Sequence, residues 1–445
     1  MKEEKKLLAL QLVRYGLPAV ILIFYATAST EMKYTPESTY VFLQFANEFI
    51  SGPGAGPDFL HPGTGTPSPM WIMLATTGKV FHVDGLLTVK IFSLFLASLG
   101  VLCVYLLAYE VVRDRLIALC ISLSVAMQAW LLQAAPSGSA LLAGLLLTLA
   151  GMFFLLRNDY LLASFLVGLS SLILWQAVGL LVLLCADVAA NSTDKRRAVK
   201  VIMMTLLVYF CPLFPWLVIA RLNAVSILPV LVPFDELSLG GILSSAAFLS
   251  LAVMLIAGIL LMLRSRGGSM NWLRGHFAPM LWMLWLGFQA MAGRTDVGLM
   301  GVPFLIIYAF LGFMEIVRAT GGPRLTYPAA FALAGVLLVQ NQALMNLMTK
   351  PAMEFSNERA RQLISIAYWL KAGSIRGMTI EAEEPGIISF YSDRMVRTMQ
   401  KEISPGADLV VTSERIVAGY EIAFTPPEAG MGLPADPQYS VWRRK

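Results

Sequence analysis

Charged side chains are scarce in this sequence. Asp, Glu, Lys and Arg make up 14% of its 445 residues, against 57% hydrophobic residues, and the mean hydropathy is +0.70. A water-soluble chain needs more polar surface than that, so lipid is the expected solvent for most of it. Histidine is scarcer still, with His61, His82 and His276 scattered along the chain, which argues against a His-based metal cluster. The four cysteines, Cys103, Cys120, Cys185 and Cys211, lie in apolar runs without short paired spacing. They make neither a disulfide framework nor a zinc site and read as small hydrophobes in helices. A Walker loop, a dinucleotide fingerprint, a zinc helix and a nucleophile elbow are all missing, which removes the usual footholds of soluble nucleotide-dependent chemistry. The apolar runs are nearly free of central ionisable residues, which counts against ion-coupled transport, although Gln128, Gln133, Gln176 and Gln289 keep that alternative open.

What is abundant is apolar sequence of spanning length, at roughly 20 residues per span. Eleven candidate helices fall near 8–29, 69–83, 87–109, 116–134, 139–156, 161–185, 199–221, 241–263, 277–293, 297–317 and 327–347. The second is short for a full span. The first follows Lys2, Lys5 and Lys6 and ends in Ala26-Thr27-Ala28; its length favours an uncleaved signal anchor over a cleaved signal peptide. The net charge of +5 is gathered in one set of loops and marks topology, with no nucleic-acid partner expected. With the N-terminus cytoplasmic, Lys195, Arg196, Arg197 and Lys200, then Arg264, Arg266 and Arg274, then Arg318 and Arg324 fall inside. Arg113, Arg115, Arg157 and Arg294 fall in outside connections, each close to an acidic residue. The C-terminus is then extracytoplasmic.

Two parts stand outside the bundle. In the connection 29–68, Thr35 and Pro36 look like an N-cap and first helical residue. Phe42, Phe45, Ala46 and Phe49 follow at helical spacing, so 37–50 reads as an amphipathic helix at the membrane surface. Gly52-Pro53-Gly54-Ala55-Gly56-Pro57 then forbids further helix. The chain divides into a transmembrane domain, 1–350, and a small α/β extracytoplasmic domain, 351–445. The latter is expected to contain a helix over 358–371, β-runs at 378–380, 386–391, 409–412 and 420–424, and a final run at 438–442.

The segment Pro36-Glu37-Ser38-Thr39-Tyr40-Val41-Phe42-Leu43-Gln44-Phe45-Ala46-Asn47-Glu48-Phe49 resembles the first external loop of polyprenyl-phosphate-sugar-dependent glycosyltransferases of the GT-C superfamily. Gly52 to Gly56, His61-Pro62-Gly63 and Thr66-Pro67-Ser68-Pro69-Met70-Trp71 follow in the family's order. Arg294 to Pro303 resembles its late external segment, and Arg361 to Tyr391, with Asp408-Leu409-Val410-Val411, resembles the start of a tail domain found in several members. The resemblance implies an α-helical polytopic membrane protein of the bacterial inner membrane. It also implies transfer of a sugar from a polyprenyl-phosphate donor to a cell-envelope acceptor. Glu37 would be the general base, Lys33 or Arg294 would hold the phosphate, Asp296 would be a metal or acceptor ligand, and Tyr40, His61 and Trp71 would contact the sugar. No cofactor is required, and a divalent metal is left open.

Each of these residues also has a plainer reading. Glu37 suits the start of a helix, Lys33 suits interfacial anchoring, and Arg294 suits either anchoring or an ion pair with Asp296. His61 suits a turn before Pro62, and Tyr40 and Trp71 suit an interfacial aromatic belt. The sequence also departs from the family. Glu37-Ser38 stands where Asp-Asp is usual, and Pro136-Ser137-Gly138-Ser139 and Trp175-Gln176-Ala177-Val178-Gly179 lack the charged residues of many relatives. A catalytically inactive GT-C-derived scaffold within a membrane complex is therefore an alternative, and a transporter or lipid flippase is a second.

Overall fold

A computed structural model describes residues 17–31, 35–36, 39–43, 46, 68–192, 194–222, 270–291, 299–373, 378–392, 394, 396–399, 403, 406–413, 417–426 and 439–444. The helices of the bundle are α1 (Leu17–Glu31), α2 (Pro69–Val80), α3 (Gly85–Val112), α4 (Arg115–Ala126), α5 (Ala129–Ser137), α6 (Leu141–Leu156), α7 (Tyr160–Ser171), α8 (Val178–Asn191), α9 (Lys195–Leu222), α10 (Met270–Met291), α11 (Val302–Gly321) and α12 (Thr326–Leu344). Among the described residues, Gly85–Val112, Lys195–Val218, Val302–Gly321 and Pro323–Leu347 are long and apolar enough to cross a membrane. The α4–α5 pair, bent by 64°, would make a fifth as one broken span. The predicted helix 241–263 lies outside the described residues.

Short turns set the helix ends. Arg113 and Asn158 adopt positive φ of 60° and 59°, ending one helix, and the next residue is an aspartate that caps the following one. Asp114 Oδ1 accepts from the Leu116 and Ile117 amides at 3.0 and 3.1 Å, and Asp159 Oδ1 accepts from Leu162 at 3.3 Å. Asp84 caps α3 in the same way, at 2.7 Å from the Leu86 amide. These carboxylates satisfy amides that a helix start leaves without intrahelical partners.

Two predicted spans are corrected. The helix predicted at 69–83 is the 12-residue α2, about 18 Å long and short of a hydrocarbon core about 30 Å thick. It begins at Ser68, whose hydroxyl donates to the Leu172 carbonyl at 3.2 Å, and ends where Gly78 packs directly on Thr88 near the start of α3. The helix predicted at 161–185 is two legs, α7 and α8, joined through a 3-10 turn at Trp175–Ala177. It doubles back, so that Tyr160 at the start of α7 donates to Asp187 near the end of α8 at 3.2 Å. Polar bonds fix the break: Tyr209 donates to Ser171 at 2.9 Å, and Thr148 and Ser170 share a hydrogen bond at 3.2 Å. Gly168 lets α9 approach until a Cβ would meet the Tyr209 carbonyl at 2.4 Å, a close backbone contact that only a small residue permits.

The bundle has two distinct ends. One carries Arg113, Arg115, Arg157, Lys195, Arg196, Arg197, Lys200, Arg318 and Arg324, and the Tyr327 hydroxyl donates to Asp114 there at 2.8 Å. Arg113, Arg115 and Arg157 therefore lie at the same end as the basic loops, correcting their expected place in the opposite connections. The cause is α2, which does not add a crossing. The other end, hereafter the domain end, carries the α5–α6 corner, the start of α3 and the C-terminal domain.

Helix α12 passes through a π segment, Met345–Thr349, into α13 (Lys350–Gly373) without a break. The C-terminal domain adds β1 (Ile380–Ala382), α14 (Pro385–Ser392), β2 (Val396–Thr398), β3 (Leu409–Thr412), β4 (Tyr420–Phe424) and β5 (Ser440–Arg444). The strand order is β2-β1-β3-β5-β4. β1 is parallel to both neighbours, and β5 is antiparallel to β3 and β4. The run 386–391, expected as a strand, is helix α14. Pro385 supplies its first residue, a position proline favours, and the strand beside β1 is instead β2. On α13, Leu363, Ile366, Ala367 and Leu370 are buried against the sheet, and Trp369 stacks on Phe424 at 5.2 Å. Arg359 pairs with Glu384, and the Tyr439 hydroxyl donates to Glu384 at 2.8 Å. The domain is thus fastened to a helix that is itself part of the bundle.

Candidate active site at the domain end

Three structural parts meet at the domain end. The first is the described portion of the connection after α1, in which residues 39–43 and 46 are helical and Phe42, Leu43 and Ala46 are buried. Its turn is closed by the Thr39 amide donating to the Pro36 carbonyl at 3.0 Å. Helix is thus present over these residues, and Thr39 and Tyr40 are buried there as well, so the described part presents no exposed polar face.

The second part is the α5–α6 corner. Thr39 Oγ1 donates to the Ser137 carbonyl at 3.0 Å and lies 3.4 Å from that of Gly138. These are the carbonyls that the end of α5 leaves without intrahelical donors. Gly138 has φ +79°, and a Cβ there would sit 3.0 Å from Thr39 and 3.1 Å from Val89. Glycine is needed both for the backbone and for the space.

The third part is the C-terminal domain. Tyr40 is buried, with its ring centroid 5.7 Å from both Phe390 and Tyr391 of α14, and its hydroxyl shares a hydrogen bond with that of Tyr391. Tyr368 of α13 adds a ring 5.9 Å from Tyr391, and Leu86 of α3 packs against the same cluster. Burial pushes the Tyr391 phenol above the ordinary tyrosine range; the Tyr40 hydroxyl lowers it, while Tyr368 and Asp84 add to the rise.

The predicted site residues divide sharply. Glu37, Lys33, His61, Arg294 and Asp296 lie outside the described residues. Tyr40 and Trp71 are described and are 4% and 0% exposed, so protein encloses both rings. The Tyr40 ring packs on α14, and Trp71 lies within α2. Arg294 and Asp296 precede α11, a helix about 30 Å long whose far end carries Arg318; Val302 and Pro303 therefore open it at the domain end. Among the described residues, no three His, Cys, Asp or Glu side chains form a group that could hold a metal ion. Thr39 and Tyr391, which tie the three parts together, were not singled out as functional from the sequence. Thr39 carries no charge to mark it, and Tyr391 falls in a run expected as strand.

No protein-family model matches the chain, and no curated protein matches it by sequence. Solved structures do match it by shape. ArnT from Cupriavidus metallidurans in the apo state superposes with a TM-score of 0.58 at 12% identity, over 98% of each chain. The same protein bound to undecaprenyl phosphate gives 0.56 at 12% identity, over 95% of this chain and 96% of that one. The arabinofuranosyltransferase AftD from mycobacteria gives 0.55 at 13% identity, over 96% of this chain but 41% of AftD. The likeness to ArnT takes in both the helical bundle and the C-terminal domain, and by it the chain has the GT-C fold.

Proposed function

We propose that this protein transfers a glycosyl group from a polyprenyl-phosphate donor to a cell-envelope acceptor at the domain end of its bundle. The observation that carries the reading is the match to ArnT over 98% of both chains, supported by the undecaprenyl phosphate bound to ArnT in a second structure of that fold. The basic end faces the cytoplasm by the positive-inside rule, which places the domain end and the C-terminal domain outside an inner membrane.

In this mechanism Glu37 takes the proton of the acceptor hydroxyl as the acceptor oxygen displaces polyprenyl phosphate from the anomeric carbon, inverting it. Lys33 or Arg294 stabilises the departing phosphate, and Asp296 and His61 contact acceptor or sugar. The lipid tail lies along the apolar helices. Thr39 and Tyr40, next to Glu37 in sequence, fix the loop against the α5–α6 corner and α14. Release of polyprenyl phosphate from a panel of polyprenyl-phosphate sugars tests the proposal.

One observation favours a second reading, a catalytically inactive scaffold that holds partner membrane proteins. At 136–139, where many relatives carry charge, this chain turns the Ser137 and Gly138 carbonyls to Thr39, and at the 175–179 turn Gln176 is buried. Both places serve packing here.

A further inference from the structure

At the opposite end from the proposed chemistry, a cavity of ≈ 740 Å³ opens between the α6–α7 turn, the end of α8 and the start of α9. Asn158, Asn191, Arg197 and Lys200 are among its polar lining residues. The cations stand three residues apart on α9, on one face of the helix, and both are exposed. Leu161 and Met204 are among its apolar lining residues. Asp159 also lines it, and its carboxylate is engaged in capping α7, accepting from the Leu162 amide. Met204 belongs to α9, where Met203, Leu207, Phe210 and Phe214 are 62%, 71%, 50% and 65% exposed. That face is the surface acyl chains would cover.

We propose that this cavity binds the headgroup of an anionic phospholipid, with Arg197 and Lys200 on its phosphate and the acyl chains leaving past Met204 along α9. A soluble anion would use the cations but neither the apolar lining residues nor the exposed apolar side chains further along α9, so the site favours a lipid. Basic pockets between membrane helices are suited to anionic headgroups. The site is independent of the glycosyl-transfer reading, since it lies at the other end of the bundle.

The test is native mass spectrometry of the full chain released from vesicles containing phosphatidylglycerol and phosphatidylcholine in equal amounts. The wild type is expected to retain phosphatidylglycerol preferentially. Arg197→Gln with Lys200→Gln should weaken that retention about thirtyfold, the combined effect of two near-surface cations. Arg197→Lys with Lys200→Arg should keep it, and Arg113→Gln with Arg318→Gln, which removes two cations paired with Glu110 and Glu315 at the same end, should leave it unchanged. Equal retention of both lipids by the wild type would overturn the proposal. So would an equal loss in both Gln pairs, or displacement of the lipid by millimolar inorganic phosphate.

Discussion

Thr39 donates its hydroxyl to the carbonyl of Ser137, 98 residues further along the chain, across 3.0 Å. This bond joins the loop that carries the proposed base to the corner of the bundle beneath it. Thr39→Val keeps the shape and removes the donor, leaving buried carbonyls less satisfied. The expected loss is about 1–2 kcal/mol of stability, read as a lower midpoint in thermal unfolding, together with a fall in turnover that exceeds any rise in KM. An unchanged midpoint would show that the bond holds nothing.

Gly138→Ala should also destabilise, by more than about 1 kcal/mol, because its φ of +79° disfavours a side chain. Part of that cost arises from contact with Thr39, so combining it with Thr39→Ser should cost less than the sum of the two single changes. Strict additivity would show that contact with Thr39 adds nothing, leaving the backbone and the contact with Val89.

Tyr40 separates packing from hydrogen bonding. Tyr40→Phe keeps the ring among Phe390 and Tyr391 and should change stability by about 1 kcal/mol. Tyr40→Ala removes the ring and should cost about 3–5 kcal/mol, with faster limited proteolysis at the junction of bundle and domain. Similar proteolysis rates in the two variants would contradict a packing role.

The raised Tyr391 phenol gives a pH dependence with a definite sign. The folded state holds this proton more tightly than the unfolded state, so the cluster contributes fully below the ordinary tyrosine range. Its contribution is lost as pH rises from that range through the folded value. Unfolding midpoints should fall on the alkaline side, and Tyr391→Phe should flatten that fall. A slope identical in wild type and variant would remove Tyr391 from the account.

Much of the bundle was legible in the sequence, because long apolar runs register directly as helices and three aspartates after short turns mark helix starts. Two features were not. Met70-Trp71-Ile72-Met73-Leu74-Ala75 has spanning hydropathy, yet α2 is too short to cross; hydropathy sums apolarity and does not see where Gly78 and the Asp84 cap stop the chain. The α7–α8 break was hidden because Leu172-Ile173-Leu174-Trp175 is as apolar as the legs it joins. In the C-terminal domain, Gly386 to Tyr391 is a short apolar run that suits strand or buried helix equally, and Pro385 was the signal for helix. At the candidate site the loop helix was visible from its spacing, whereas the Thr39 and Tyr40 contacts depend on segments distant in sequence.

Sidedness can be read with cysteines placed in a variant lacking the four native ones. Arg113→Cys, Arg157→Cys and Arg324→Cys should react with a membrane-impermeant maleimide from the same side, and Glu421→Cys only from the other. Labelling of Arg113→Cys from the side of Glu421→Cys would restore 69–83 as a crossing and contradict the bundle described above.

The central claim is that the domain end performs glycosyl transfer with Glu37 as base. Its most direct test is polyprenyl-phosphate release from a panel of polyprenyl-phosphate sugars by purified wild type beside Glu37→Gln. The account predicts turnover with at least one donor and a loss of about a hundredfold or more in the variant, the scale of general-base catalysis. Turnover unaffected by Glu37→Gln, or no release from any donor offered with cell-envelope acceptors, would contradict it; the second result would favour the scaffold.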